Sequence, residues 1–241
     1  MKFSIRRMFI GAGNQSVPSS KKDFDTLREA RDGLILTLAI EEKFDVLIAN
    51  YAELEQELLR VALNDMVYSD ENVRLAFRDD RMVFNRRLSN LLSSARMYRD
   101  QVQADLNRTA AWKAMDMKGW VKGAMSNAAQ STVEFRACES LRNATQHQEM
   151  PVYSVSRGWS RTSLGTCFVT QISAKLAAFL TRRSPDKKLE QELWPAFAPE
   201  KEKKKPARNL QNPTILLMPL VRRYVETLAK IHRELRGKLK Q

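Results

Sequence analysis

A short polar stretch in the middle of the chain holds the side chains best suited to chemistry. It runs from Cys138 to Val152, at the end of an apolar-periodic segment, and contains Arg142, Asn143 and His147. An imidazole can move a proton near neutral pH, and a guanidinium is a planar fork for a phosphoryl group. The histidine could take the 2′-hydroxyl proton or protonate the leaving oxygen while Arg142 stabilises the crowded phosphorus. The pair predicts RNA cleavage without a metal, to a 2′,3′-cyclic phosphate.

Helical geometry limits how these side chains can meet. Five residues rotate by about 500°, so Arg142 and His147 lie about 140° apart on an unbroken helix. Either the helix unwinds between them, or a second protomer completes the cleft by two-fold symmetry. Asn143 and His147 are four residues apart and can touch, so Asn143 could orient the imidazole, with Glu139 one turn earlier.

Aromatic and basic residues follow the motif. They could stack on and neutralise a single RNA strand, although such a mixture is also common in ordinary loop packing. The candidate substrate-binding residues are Tyr153, Arg157, Trp159 and Arg161.

The motif also has a plainer interpretation. Arginine is frequent in this chain, so an arginine four to six positions before a histidine also arises by chance. The second histidine, His232, lies beside Leu228 and Leu235 in a helical pattern and is interpreted as a packing or surface residue.

Other common chemistries are not supported by motifs. His147 and His232 are 85 positions apart, and no cysteine cluster occurs, so no metal site is predicted. Gly11-Ala12-Gly13 lacks the third glycine and the Lys-Ser/Thr pair of phosphate-binding loops, and no G-x-S-x-G occurs. We therefore expect no cofactor.

Composition indicates a globular protein. With 241 residues and 43% hydrophobic content, the chain can bury a real core. Its two cysteines, Cys138 and Cys167, are expected to be free thiols in a reducing compartment. No apolar run approaches the length of a membrane span or secretory signal, so we expect a cytoplasmic protein without membrane contact.

The charge favours a phosphate-rich partner. The formal net charge is +13, and residues 181–241 hold 16 Lys or Arg against 7 Asp or Glu, a net of +9. An acidic protein partner would explain the same balance. The run from Lys201 to Lys205 is interpreted as a solvated loop or as a phosphate-gathering arm.

Apolar periodicity predicts mainly helices. Residues 1–21 form an arm, with Ser19 or Ser20 as a helix cap; one or two long helices cover about Lys22 to Tyr68. Ser69-Asp70-Glu71 then caps a helix to about Leu106, giving an antiparallel hairpin. A third helix is expected from about Met115 or Trp120 to Gln146.

The pattern changes after the motif. Pro151 stops the helix, and alternation over 152–156 and 166–172 predicts a small β-hairpin, with Gly158, Trp159, Arg161 and Gly165 in its connection. Residues 22–180 thus form a helical bundle with the motif and hairpin. The basic, Pro- and Lys-rich segment 181–213 is predicted to be a loop or insertion, and 214–241 a final helix that packs on the bundle.

The segment Arg142-Asn143-Ala144-Thr145-Gln146-His147 resembles the motif of the HEPN superfamily: Arg, a polar residue that is often Asn, and His four to six residues beyond the Arg. The wider pattern, with Pro151-Val152 and the late Arg223-Tyr224-Val225-Glu226 helix, is also similar to a group of uncharacterised bacterial proteins. The resemblance implies a HEPN-like bundle of long antiparallel helices; with the hairpin that the alternation predicts, we expect a mainly α fold of this kind with a small β-hairpin appendage. The chain departs from many members by turning into a hairpin soon after the histidine.

The resemblance also implies a function. HEPN proteins are typically metal-independent endoribonucleases of toxin–antitoxin and antiphage systems, and many are homodimers whose motifs face each other. We therefore expect a ribonuclease with Arg142, His147 and Asn143 as catalytic residues, and RNA, a second copy and an antitoxin or defence protein as partners. The alternatives are a non-catalytic HEPN-like module that binds nucleic acid or a nucleotide, and a helical interaction protein.

Overall fold

The computed structural model describes residues 3–6, 16–67, 73–147, 150–163, 165–180 and 187–239. The helices are α1 Lys21–Val67, α2 Val73–Asp105, α3 Ala110–Ala114, α4 Met117–Ser131, α5 Val133–His147, α6 Lys187–Phe197, α7 Glu200–Lys203 and α8 Leu217–Leu239. The strands are β1 Phe3–Arg6, β2 Ser16–Ser19, β3 Ser154–Thr162, β4 Gly165–Lys175 and β5 Thr214–Leu216. The prediction of a mainly helical bundle with a small sheet is confirmed.

One continuous helix, α1, forms the predicted hairpin with α2. A capping box starts it: the Ser20 amide donates to Asp23 Oδ2 at 2.9 Å, and the Asp23 amide donates to Ser20 Oγ at 3.1 Å. Lys43 of α1 pairs with Asp105 at the end of α2 at 2.7 Å, as antiparallel packing requires. The predicted cap of α2, Ser69 to Glu71, lies outside the described residues.

The prediction of a single third helix is wrong, because α4 and α5 are separate. Thr132 between them is extended, with φ −125° and ψ 126°, and its hydroxyl donates to the Ala128 carbonyl at 2.8 Å. A β-branched residue with a local side-chain bond favours such a break. The start of α4 requires a glycine at position 119, because a Cβ there would lie 2.1 Å from Oδ2 of Asp116, whose carboxylate caps the helix.

The predicted hairpin is present, with longer strands than expected. Val155 faces Ile172, and Trp159 faces Phe168 across the antiparallel pair. Trp159 and Arg161 therefore lie in β3, and the prediction that they belong to the connection is wrong. Gly165 ends the turn with φ +123°, a conformation that glycine permits. A third strand, β5, pairs with the end of β4, so the last helix begins at Leu217 rather than Thr214.

Part of the segment 181–213 is helical rather than a loop. Leu189 and Leu193 of α6 are four residues apart and are 1% and 0% exposed, and Glu192 pairs with Arg136 of α5. This apolar spacing outweighs Pro195, which lies in the last turn of the helix. The lysine run is partly in α7, with Lys201 and Lys205 exposed.

The bundle core lies where α1, α2, α5 and α8 pack together, and α8 alone buries ten residues. The three-stranded sheet packs against α1, α2 and the start of α8. Among the described helices, none combines the length and apolar character needed to cross a bilayer.

Candidate functional site

The motif residues lie at the end of α5, which is helical without interruption to His147. Arg142 is half-buried, whereas Asn143 and His147 are exposed. Because the helix does not unwind, Arg142 and His147 differ by about 140° around its axis and by about 7.5 Å along it. One chain therefore does not bring the guanidinium and the imidazole onto one face.

Asn143 contacts the arginine rather than the histidine. Nη1 of Arg142 donates to Oδ1 of Asn143 at 3.3 Å. Within the described part of the chain, no hydrogen bond joins Asn143 to His147. The amide therefore positions Arg142, and the predicted orienting of the imidazole has no contact to support it here.

Arg142 stands out among the partly buried arginines of the bundle. Over the described ranges, no carboxylate lies within ion-pair distance of it; its Nε is buried without a hydrogen-bond partner, as are the Nε atoms of Arg87, Arg99, Arg136 and Arg157. A desolvated cation without a counterion is costly, so an anionic ligand at this position would be stabilised. Four comparable arginines do pair with carboxylates: Arg87, Arg99, Arg136 and Arg157.

The carboxylate of Glu139, one turn before Asn143, is occupied by contacts with neighbouring helices. It accepts a hydrogen bond from the Tyr224 hydroxyl of α8 at 2.7 Å and pairs with Arg99 and Arg96 of α2. Burial, followed by the neighbouring carboxylate, raises the pKa of Tyr224. Glu139 therefore ties α5 to two other helices and is not free to bind a ligand.

A small pocket opens next to the motif. Its volume is about 290 Å³, and Met150, three residues after His147, lines it. Three residues span at most about 11 Å, so the pocket edge is close to the end of α5. Lys175 lies over the Tyr153 ring at 4.8 Å, and the described lining residues include two cations and no carboxylate: Arg81, Met82, Asn85, Met150, Val152, Tyr153, Lys175 and Ala178.

Asn85 of α2 positions the wall of this pocket. The Val152 amide donates to Asn85 Oδ1 at 2.7 Å, and Asn85 Nδ2 donates to the carbonyls of Val152 at 3.2 Å and Arg81 at 2.9 Å. Asn85 is only 3% exposed. The clamp fixes the chain just before Tyr153, because both backbone groups of Val152 are held.

Sequence reasoning missed Asn85, Arg81 and Lys175. One signal for Asn85 was available, since it is three residues before Leu88 and seven before Leu92 on the buried face of α2. A polar residue on an apolar stripe needs a buried partner. Its partner is 67 positions away, which the sequence does not show.

The other candidate RNA-binding residues lie apart from this pocket. Arg157 donates to Asp65 at 2.7 Å and pairs with Asp80, which fixes the β-hairpin to α1 and α2. Trp159 is 67% exposed, and Arg161 is also exposed, towards the hairpin tip. At about 3.3 Å per residue, Arg161 is about 23 Å along the strand from Ser154. Of the four, the structure places only Tyr153 in the pocket beside the motif.

The remaining reactive side chains are enclosed or isolated. His232 is 2% exposed, its Nδ1 lies 2.9 Å from the Tyr98 hydroxyl, and Phe44 stacks on its ring. Burial lowers the pKa of His232, and Glu41, 3.3 Å from its Nε2, opposes that shift. Cys138 is buried, which raises the pKa of its thiol, and Cys167 is exposed. Within the described ranges, no group of three His, Cys, Asp or Glu side chains is arranged to hold a metal ion.

Comparison of the chain with protein-family models, curated proteins and solved structures finds no match. The resemblance to the HEPN superfamily therefore rests on the motif residues.

Proposed function

We propose that this chain is an RNA-binding protein of HEPN-like architecture that holds a single strand at the end of α5 and in the adjacent pocket. The observation that carries the proposal is Arg142: a partly desolvated cation, without a carboxylate partner in the described structure, on the helix whose last residue is three positions from a pocket lined by two more cations. Such a surface suits a ligand that carries both phosphate and a flat base.

Each part of the surface has a role in this proposal. Arg142, held by Asn143, binds a phosphate, and exposed His147 contacts the backbone next to it. The pocket of about 290 Å³ takes one base, which stacks on the exposed part of the Tyr153 ring. Lys175 and Arg81 bind the flanking phosphates. Bases are free to stack in this way only in a single strand, so double-stranded RNA binds less tightly.

The test is a fluorescence-anisotropy titration of a labelled single-stranded oligoribonucleotide in EDTA at several salt concentrations. Arg142→Gln should weaken binding and reduce the slope of log affinity against log salt by about 0.7, the value for one phosphate contact. Tyr153→Ala should weaken binding about 10-fold, within the range for one stacked base.

Arg233→Gln is the matched control, because Arg233 is exposed on α8 and the change removes the same charge. It should leave the affinity close to that of the wild type. If Arg142→Gln and Arg233→Gln weaken binding equally, RNA responds only to net charge, and the proposed site is wrong. Thermal melting checks that each variant is folded.

The second candidate is the endoribonuclease, favoured by the exposed imidazole of His147. Since Arg142 and His147 do not share a face within one chain, cleavage requires one copy to supply the arginine and another the histidine. Wild type, Arg142→Ala and His147→Ala would be incubated with RNA in EDTA. A composite site predicts cleavage by wild type, none by either variant, and partial recovery in their mixture. Intact RNA in every sample would refute cleavage while leaving the binding proposal open. The antitoxin or defence partner stays a prediction.

A further inference from the structure

The first half of α1 presents an exposed face with an unusual order of residues. Starting at Phe24, alternate steps of four and three residues reach Ala49, and all positions on this path, the α1 stripe, are exposed. Its centre is apolar, with Ile35 56% and Leu38 59% exposed, and Leu34 beside it is 72% exposed. Single exposed apolar residues are ordinary, but a continuous helical stripe is typical of a helix that packs against another helix.

The charges on the α1 stripe are arranged by sign. Arg28 and Arg31 lie on the amino-terminal side of the apolar centre, and Glu42 and Asp45 lie on the carboxyl-terminal side. Arg31 contacts only its exposed neighbour Asp32, at 2.7 Å, among the described ion pairs. The stripe is therefore self-complementary if a second copy runs in the opposite direction.

The register of such a pair follows from the spacing. When Ile35 faces the partner subunit's Leu38, Arg31 faces the partner subunit's Glu42. In the same register, Arg28 faces the partner subunit's Asp45, and each of these pairs occurs twice by symmetry. From Phe24 to Ala49 the paired helices are about 38 Å long, between three and four heptads, which is the length expected for a coiled coil. A parallel pair would instead place arginine against arginine and carboxylate against carboxylate.

We propose that two copies of this chain associate through antiparallel pairing of the α1 stripe. The interface is isologous, with the two-fold axis between Ile35 and Leu38. A uniformly charged partner such as RNA would match only half of the stripe. The α1 stripe and the proposed RNA site lie on different helices, and α5 packs chiefly against α2, α4, α6 and α8.

The test measures molecular mass by sedimentation over a range of protein concentrations. Wild type should be a dimer. Arg28→Glu with Arg31→Glu should raise the dissociation constant by about 100-fold or more, because four attractive contacts become repulsive. Glu42→Arg with Asp45→Arg should do the same. An equimolar mixture of the two double variants should form heterodimers, and the chain with all four changes should dimerise again. All four side chains are exposed, so circular dichroism should show unchanged helix content.

Two further measurements complete the design. Lys118→Glu with Lys122→Glu, on exposed positions of α4, is the matched double charge reversal and should leave the dimer intact. A spin label at Asp25→Cys, in a Cys167→Ser background, should report a separation of about 35 Å for the antiparallel pair and a much shorter one for a parallel pair. A monomeric wild type, a dimer that survives the Arg28/Arg31 reversal, or no recovery in the fourfold variant would overturn the proposal.

Discussion

Replacing Asn85 with alanine should loosen the segment that joins α5 to the β-hairpin. The side chain makes three hydrogen bonds, two of them to Val152, and Asn85 and Val152 are 3% and 2% exposed. In Asn85→Ala, the Val152 amide and carbonyl lose their partner in a place that water does not reach easily. The variant should therefore lose more stability than a variant that lacks one hydrogen bond at the surface.

The magnitude follows from the groups left behind. A buried backbone donor or acceptor without a partner costs about 1–3 kcal/mol. Asn85→Ala leaves two such groups, the amide and the carbonyl of Val152. Since the backbone around Val152 can relax in the variant or admit one water, we expect a loss of about 3 kcal/mol in the free energy of unfolding. For a protein of this size, that corresponds to a melting temperature lower by about 6–12 °C.

Urea denaturation of both forms provides the measurement, with hydrogen exchange at the Val152 amide as a local readout. Asn50→Ala is the control, because Asn50 donates to the Val46 carbonyl of its own helix, at 2.8 Å, and to no other group among the described residues. It should change stability by less than about 0.5 kcal/mol. If Asn85→Ala costs no more than Asn50→Ala, or if exchange at Val152 is not faster, the clamp does not hold this segment.

Two further predictions concern charged groups. Because burial lowers the pKa of His232, the unfolded chain binds a proton at acid pH more readily than the folded chain does; the free energy of unfolding should fall as pH drops below the ordinary histidine pKa of 6.5. His232→Gln should flatten that dependence in urea melts at several pH values, and an unchanged slope would show that other groups cause it. Arg157→Gln removes the cation that pairs with Asp65 and Asp80, and Asp80 keeps Arg60 at 3.4 Å, so the change should cost about 2 kcal/mol of stability. It should change RNA affinity less than Arg142→Gln does, and a larger loss of affinity would place RNA at the hairpin instead.

The sequence predicts the long helices well, because their signals are local. The apolar spacing of α1 and the serine before it are sufficient to place that helix and its cap. The break at Thr132 was not predicted, since the apolar pattern continues through it. The helix α6 was also missed, because Pro195 and the two lysines at its start are more conspicuous than the pair Leu189 and Leu193.

The candidate site is predictable in its residues but not in its geometry. Arg142 and His147 are recognised by type and spacing, and helical rotation anticipates that they diverge. The sequence does not show which arginines are neutralised by carboxylates. Arg157 meets carboxylates 77 and 92 positions away, whereas Arg142 meets none over the described ranges. That difference depends on tertiary packing.

Photocrosslinking to RNA tests the central claim most directly. A single strand containing 4-thiouridine would be irradiated with the wild-type protein, and the modified tryptic peptides identified by mass spectrometry. Cleavage after Arg142 and Arg157 yields one peptide, residues 143–157, that contains Asn143, His147 and Tyr153. We predict that this peptide carries the main adduct and loses it in Tyr153→Ala. Adducts confined to the peptide containing Trp159, or to the Lys201–Lys205 run, would contradict the account.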